Sequence, residues 1–170
     1  MATCSRHLEE EACEEIAGII QKLGDDHPRI GKSSFSGIIE VDTKIDSLVV
    51  ISEIKKIILD EPWRMRYCHR FIPINQTTSS TLENIEESVK NQIKVMKDIE
   101  TYRITIEKRG SELSSQELID YIANIIPNKV SLENYDWIVM IQIIGGITGI
   151  SVLKEQDIIS TLKLKRDSME

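Results

Sequence analysis

RMRYCHRFIPINQTTSSTLE, residues 64–83, is the stretch on which the reading of this chain turns. It reads as a strand over 64–74, passes Pro73, crosses a polar segment at 75–79 and enters a helix. Ser80 and Glu83 form a capping-box pattern at that helix start. Side chains alternate along a strand, so Arg64, Arg66 and Arg70 are expected on one face, opposite Met65, Tyr67 and Phe71. Arg64 and Arg70 would then lie about 20 Å apart at ~3.3 Å per residue, enough to touch several phosphates. The competing reading is a solvated strand face that pairs with the chain's many acids.

Upstream, residues 2–5 can form a short first strand. Leu8, Ala12, Ile16, Ile19 and Leu23 recur at helical spacing, behind acidic first turns that suit the helix dipole. Gly24 and two aspartates stop that helix. Residues 29–33 and 35–41 read as a hairpin, and a second helix starts near Ser47, with Val50, Ile54, Ile57 and Ile58 on one face. Asp60, Glu61 and Pro62 end it. The order β-α-β-β-α-β is the split arrangement of a ferredoxin-like unit.

Downstream, Leu82, Ile85, Val89, Ile93 and Met96 predict a helix, and residues 102–107 a strand. Ser114 and Glu117 cap another helix, with Leu118, Ile122 and Ile125, that ends before Pro127. Asn128 and Lys129 lead towards a further strand. Residues 137–144 are almost wholly apolar and predict a central strand covered on both faces. Gly145 and Gly146 turn the chain into a partner strand at 148–153. A last helix from Glu155 would turn Ile158, Ile159 and Leu162 inward and end in Lys163, Lys165 and Arg166. The fold class expected is α/β (α+β), with domains at 1–74 and 75–160 and a tail at 161–170.

The 170 residues leave room for one domain or two small ones. With 41% hydrophobic and 29% charged residues the chain is an ordinary globular protein, and no apolar run approaches the ~20 residues of a membrane span. A cytoplasmic protein is expected. Cys4, Cys13 and Cys68 are odd in number and lack paired spacing, against a disulfide framework or a zinc ribbon. The net charge of −7 argues against a generic nucleic-acid binder. Residues 1–60 hold net −5 and residues 61–170 only net −2, so an anion site is expected as a local patch in the second part.

No enzyme site emerges from motifs. Cys68 and His69 are strand neighbours and point to opposite faces. His7 and His27 have no metal-ligand spacing. Gly31, Lys32 and Ser33 lack the earlier glycine of a phosphate loop, because position 26 is Asp26. No helix pattern follows the glycines at 145–149, which excludes a dinucleotide fingerprint. No catalytic residue, metal, cofactor or small-molecule substrate is expected.

Two stretches resemble the THUMP domain. One is CHRFIPINQTTSSTLENI, with Arg70, Pro73 and Thr77 in an Arg-x-x-Pro-x-x-x-Thr pattern. The other runs from 102 to 153 and carries Lys108-Arg109 after a strand, Asn-Lys-Val at 128–130, and Ile-Ser-Val at 150–152. The run from Asp60 through Pro62 and Trp63 to Arg64 fits as well. The resemblance covers about residues 60–155, and is nearest the stand-alone type that acts as an adaptor. It implies a THUMP domain after the ferredoxin-like unit, docking of the acceptor end of tRNA, and support of N4-acetylcytidine formation by a separate RNA cytidine acetyltransferase. On that resemblance Arg64, Arg66, Arg70, Thr77, Lys108, Arg109 and Lys129 are the RNA-binding residues, with the basic ones on phosphates and 2′-hydroxyls. Pro73 and Thr77 would set the angle between the units. The alternatives are an RNA-binding subunit of a tRNA methyltransferase or thiouridine synthetase, and a protein-interaction module with no RNA role.

Overall fold

The computed structural model describes residues 1–168. The chain folds as two compact units, one of residues 1–73 together with 156–168, the other of residues 74–155.

The first unit is a sheet covered by two helices. Strands β1 (Ala2–Cys4), β2 (Arg29–Lys32), β3 (Ile38–Asp42), β4 (Cys68–Phe71) and β9 (Ile159–Ser160) lie in the order β2-β3-β1-β4-β9, every neighbouring pair antiparallel. Helices α1 (Glu9–Lys22) and α2 (Ser47–Asp60) bury Ala12, Ile16, Ile20, Ile54 and Ile58 against Ala2, Ile39, Cys68 and Phe71. Asp46 caps α2, accepting from the amides of Leu48 at 2.9 Å and Val49 at 3.3 Å. The first four strands have the ferredoxin-like order expected. The fifth strand, β9, was not expected: it and the short helix α5 (Thr161–Asp167) belong with this unit. The C-terminal segment is therefore neither the end of the second domain nor a free tail. Of the 161–170 tail, positions 169 and 170 lie outside the described residues.

In the second unit β5 (Gln76–Ser79), β6 (Tyr102–Arg109), β7 (Trp137–Ile144) and β8 (Ile147–Leu153) form a sheet in the order β5-β8-β7-β6. β6 and β7 are parallel, as a strand–helix–strand crossover through α4 (Ser115–Ile125) requires, and the other pairs are antiparallel. Helices α3 (Leu82–Gln92) and α4 bury Ile85, Val89, Leu118 and Ile122 against Tyr102, Val139, Ile141 and Ile150. β7 is an inner strand buried along nearly its whole length, as its apolar run predicts. The hairpin turns at Gly145, where φ is 59°.

Three local expectations are corrected. The polar segment 75–79, read only as a crossing into the helix, holds an edge strand, Gln76–Ser79, on β8. The cap of α3 is Thr81, accepting from the Asn84 amide, rather than Ser80, whose hydroxyl instead meets that of Thr148 at 2.8 Å. The stretch 64–74 is not one strand. Pro62–Arg64 is a turn of 3₁₀ helix, and β4 begins only at Cys68.

Candidate RNA-binding surfaces

The broken strand decides where the arginines go. Pro62 stands in the first turn of the short 3₁₀ helix, where its fixed φ suits entry and its missing N–H costs nothing. Arg64 ends that turn and pairs with Glu61 at 2.9 Å. Met65, 1% exposed, plugs the core beneath it. Residues 66–68 are then held by Glu15 of α1, whose carboxylate accepts from the backbone amides of Arg66, Tyr67 (3.3 Å) and Cys68 (3.0 Å). Arg66 itself is exposed.

Within β4 the alternation fails. Thr3 pairs with Arg70 and Cys4 with Cys68, which leaves His69 as an extra residue and shifts the register. Cys68 and Phe71 therefore both face the core, and Arg70 is a half-buried residue of an inner strand. Arg64, Arg66 and Arg70 do not share one extended face. They belong to a turn, a loop and a bulged strand of the same segment.

The second unit separates its candidates too. Tyr102, Ile104 and Ile106 face the helices, so by alternation Lys108 lies on that face of β6 and Arg109 on the other. The Lys108 ammonium donates to the Leu113 carbonyl, which ties down the loop before α4. Arg109 is exposed, and its carbonyl accepts from Gly145 at 2.8 Å. Lys129 is exposed at the opposite end of the same strand. Its carbonyl accepts from Tyr102, the first residue of β6, at 3.1 Å. Seven residues of strand put Lys129 roughly 23 Å from Arg109 at ~3.3 Å per residue. Nor does Lys129 lead into a strand; Val130 makes one isolated bridge to Tyr102. Thr77 is exposed on β5, opposite Gly149.

Sequence reasoning missed three features. Asn128 is a clamp: its amide donates to the carbonyls of Lys97 (2.8 Å) and Glu100 (3.0 Å), which gives the Asn-Lys-Val pattern a structural reason. Glu100 in turn accepts from the Trp137 indole at 2.8 Å, and these bonds hold its carboxyl below the usual range, the Lys97 amide contributing most. Trp63 is 65% exposed. Its signal in the sequence was its place between Pro62 and Arg64, at a joint between a helix and a strand. Cys68 donates to the Ala12 carbonyl at 3.8 Å, and burial pushes its thiol well above the ordinary value, with Glu15 adding to the shift. It stays protonated at neutral pH, the opposite of what a nucleophile needs.

Two layered α+β units, the second with a parallel strand pair inside a mixed sheet, define the class of protein. Residues 79–153 match the THUMP domain family, so the chain contains a THUMP domain preceded by a ferredoxin-like unit. No curated protein matches the chain in sequence. Among solved structures, PH1313 from Pyrococcus horikoshii is similar at a TM-score of 0.60 and 19% identity, over 90% of this chain and 54% of its own. TrmN from Thermus thermophilus gives 0.63 and 12%, over 89% of this chain and 44% of its own. A 4-thiouridine synthetase solved with RNA and ATP gives 0.53 and 13%, over 90% and 41%. The chain spans about half the length of these structures, and at such identities the likeness is one of fold.

Proposed function

We propose that this chain is an RNA-binding protein of tRNA modification, docking the acceptor end of tRNA without a catalytic centre of its own. The observation that carries this is the THUMP domain at 79–153, following a ferredoxin-like unit in a fold shared with a 4-thiouridine synthetase that was solved in complex with RNA. Its mechanism is positional. Exposed Arg66, Arg109 and Lys129 engage phosphates, and Arg64 and Arg70 support the same segment. Thr77 and Lys108 of the second unit contribute as well. In the finer form of this reading, the protein is an adaptor that presents tRNA to a separate RNA cytidine acetyltransferase and so supports N4-acetylcytidine formation. A cytoplasmic location belongs to the same reading. Among the described residues no helix is long and apolar enough to cross a membrane.

A second reading is favoured by the neighbours themselves. Two of them are a Trm-type protein and a thiouridine synthetase, of which this chain matches less than half. It makes the chain the RNA-binding part of a different tRNA-modifying enzyme. Nucleoside analysis of tRNA from cells lacking the protein separates the two. Selective loss of N4-acetylcytidine is expected. Loss of a methylated or thiolated nucleoside instead supports the second reading, and an unchanged profile overturns both.

Binding itself is tested by tRNA titration. Arg66→Ala combined with Arg70→Ala should weaken tRNA affinity by about tenfold, and the log-log dependence on salt should flatten by about one unit per lost phosphate contact. Unchanged affinity removes this segment from the interface.

A further inference from the structure

β6 is an outer strand of the second sheet and the longest sheet edge among the described residues. It has eight residues, against four each in β2 and β5 and two in β9. Its register with β7 runs unbroken over all eight pairs, with no bulge, proline or glycine to blunt the edge. Main-chain direction alternates along it. Thr101 and Arg109 accept on the β7 side, from Trp137 at 3.1 Å and Gly145 at 2.8 Å, so the odd-numbered residues bond β7. Tyr102 turns the other way, donating to the Lys129 carbonyl at 3.1 Å and accepting from Ser131 at 2.8 Å. From Ile104 on, that outer row is open. Among the described residues nothing bonds the main chain of Ile104 or Ile106 on this side, or the Lys108 N–H. The Lys108 carbonyl accepts only from the neighbouring Arg109 guanidinium at 3.1 Å. Residues 103–108 are all half-buried, whereas 138–143 of the inner strand beside them are buried.

An unpaired row of alternating N–H and C=O groups is a template for one more strand. The bridge of Val130 to Tyr102 already uses its first position, so this edge accepts an extended segment. RNA does not match the row, because phosphate oxygens only accept and would leave the carbonyls unpaired. A second copy does not match it either. Two β6 edges laid antiparallel over 104–108 set Arg103 against Arg109, like charges directly opposite. The side chains define the segment that fits. Ile104 and Ile106 border the core on the helix side and are half-buried. On the other side Arg103 has donors to spare: one N–H reaches the Leu132 carbonyl at only 3.5 Å, and its Nε is shielded and bonds nothing. We propose that the outer edge of β6, from Ile104 to Lys108, takes an extended acidic segment of a protein partner as an added strand. Its apolar side chains lie on the Ile104 and Ile106 side, and a carboxylate meets Arg103. Ile104 to Lys108 spans about 13 Å at ~3.3 Å per residue. Main-chain bonds supply the affinity of such an added strand, and alternate side chains its specificity. This rests on the adaptor reading above, which requires a surface for a partner enzyme, and places that surface between the two ends of β6 where Arg109 and Lys129 meet phosphates.

The test follows hydrogen exchange of the full chain with a peptide of alternating valine and glutamate. In the free protein the amides of Ile104, Ile106 and Lys108 should exchange fast, and those of Thr105 and Glu107 slowly. The glutamate peptide should slow the three outer amides, and a peptide of alternating valine and lysine should not. Ile106→Pro removes one outward N–H and leaves the β7 ladder intact. It should abolish the added protection and leave tRNA affinity unchanged. Arg103→Glu should weaken the glutamate peptide by about tenfold, the worth of one charge-assisted hydrogen bond, and favour the lysine peptide. Outer amides that stay fast with the glutamate peptide overturn the proposal and leave tRNA binding standing. Slowing of those amides by tRNA alone assigns the edge to RNA, and slowing that grows with protein concentration assigns it to a second copy; either result overturns the proposal. Protection by the peptide in a chain that binds no tRNA overturns the RNA reading and keeps the strand site.

Discussion

Asp25 shows how a single acid is committed to the fold. Its carboxylate accepts from the Thr43 hydroxyl, from the Lys44 amide at 3.1 Å and from the His27 amide at 3.3 Å. These bonds, the Thr43 one above all, hold its carboxyl below the ordinary value. An acid whose folded pKa is depressed adds stability above its unfolded value, about 3.9 for Asp, and loses it as pH falls through the folded value. Asp25→Asn should therefore flatten the acid limb of the stability curve below about pH 4, as read by urea melts across pH. Glu15 does similar service for the arginine segment, and Glu15→Ala should cost about 1 kcal/mol and raise amide exchange at residues 66–68. Gly37 is a backbone requirement. Its φ is 79°, and an added Cβ would meet the Cys4 carbonyl oxygen at 2.9 Å. Gly37→Ala should destabilise by about 1–2 kcal/mol in denaturant melts, from left-handed strain before counting the clash. These roles were not legible in the sequence, because each depends on a partner distant along the chain.

At the scale of elements, amphipathic helices were the most legible parts. The 3.6-residue spacing of Ile16, Ile19, Ile54, Ile57, Ile85, Val89, Leu118 and Ile122 placed their buried faces correctly. Ser114 caps α4 as its motif suggests, accepting from Glu117 at 3.3 Å. The strand at 64–74 failed because alternation of arginine with apolar and aromatic side chains is satisfied equally by a 3₁₀ turn, a loop and a bulged strand. Period-two reasoning has no means of seeing a bulge. β9 failed for another reason: two residues carry too little pattern, and its existence rests on pairing with β4. A chain ended at Glu155 should lose exchange protection at Cys68–Phe71 and destabilise the first unit by about 1.5–3 kcal/mol from Ile159 alone. Exchange in the second unit, whose sheet lies within 74–155, should stay unchanged.

For the whole molecule, charge sets the kind of binding to expect. A chain at net −7 gains no attraction to RNA from its overall field, so local patches must supply it. Affinity for tRNA should then fall steeply between low and physiological salt, with a slope set by the few phosphates those patches reach. A salt-independent affinity would point to contacts other than phosphates.

The sequence by itself determined that two α+β units are present, that the first is ferredoxin-like and that the second carries the THUMP pattern. Those conclusions rest on local periodicity, caps and turns, which are properties of short windows. Only the tertiary structure decided that α5 returns to the first unit, that Arg64, Arg66 and Arg70 share no flat face, and that Lys108, Arg109 and Lys129 are spread over two faces and two ends of β6. The physical reason is one of range. Periodicity reports which side of an element is apolar, whereas a surface is assembled from contacts such as that of Lys165 with Met65, 100 residues apart, which no window along the chain contains.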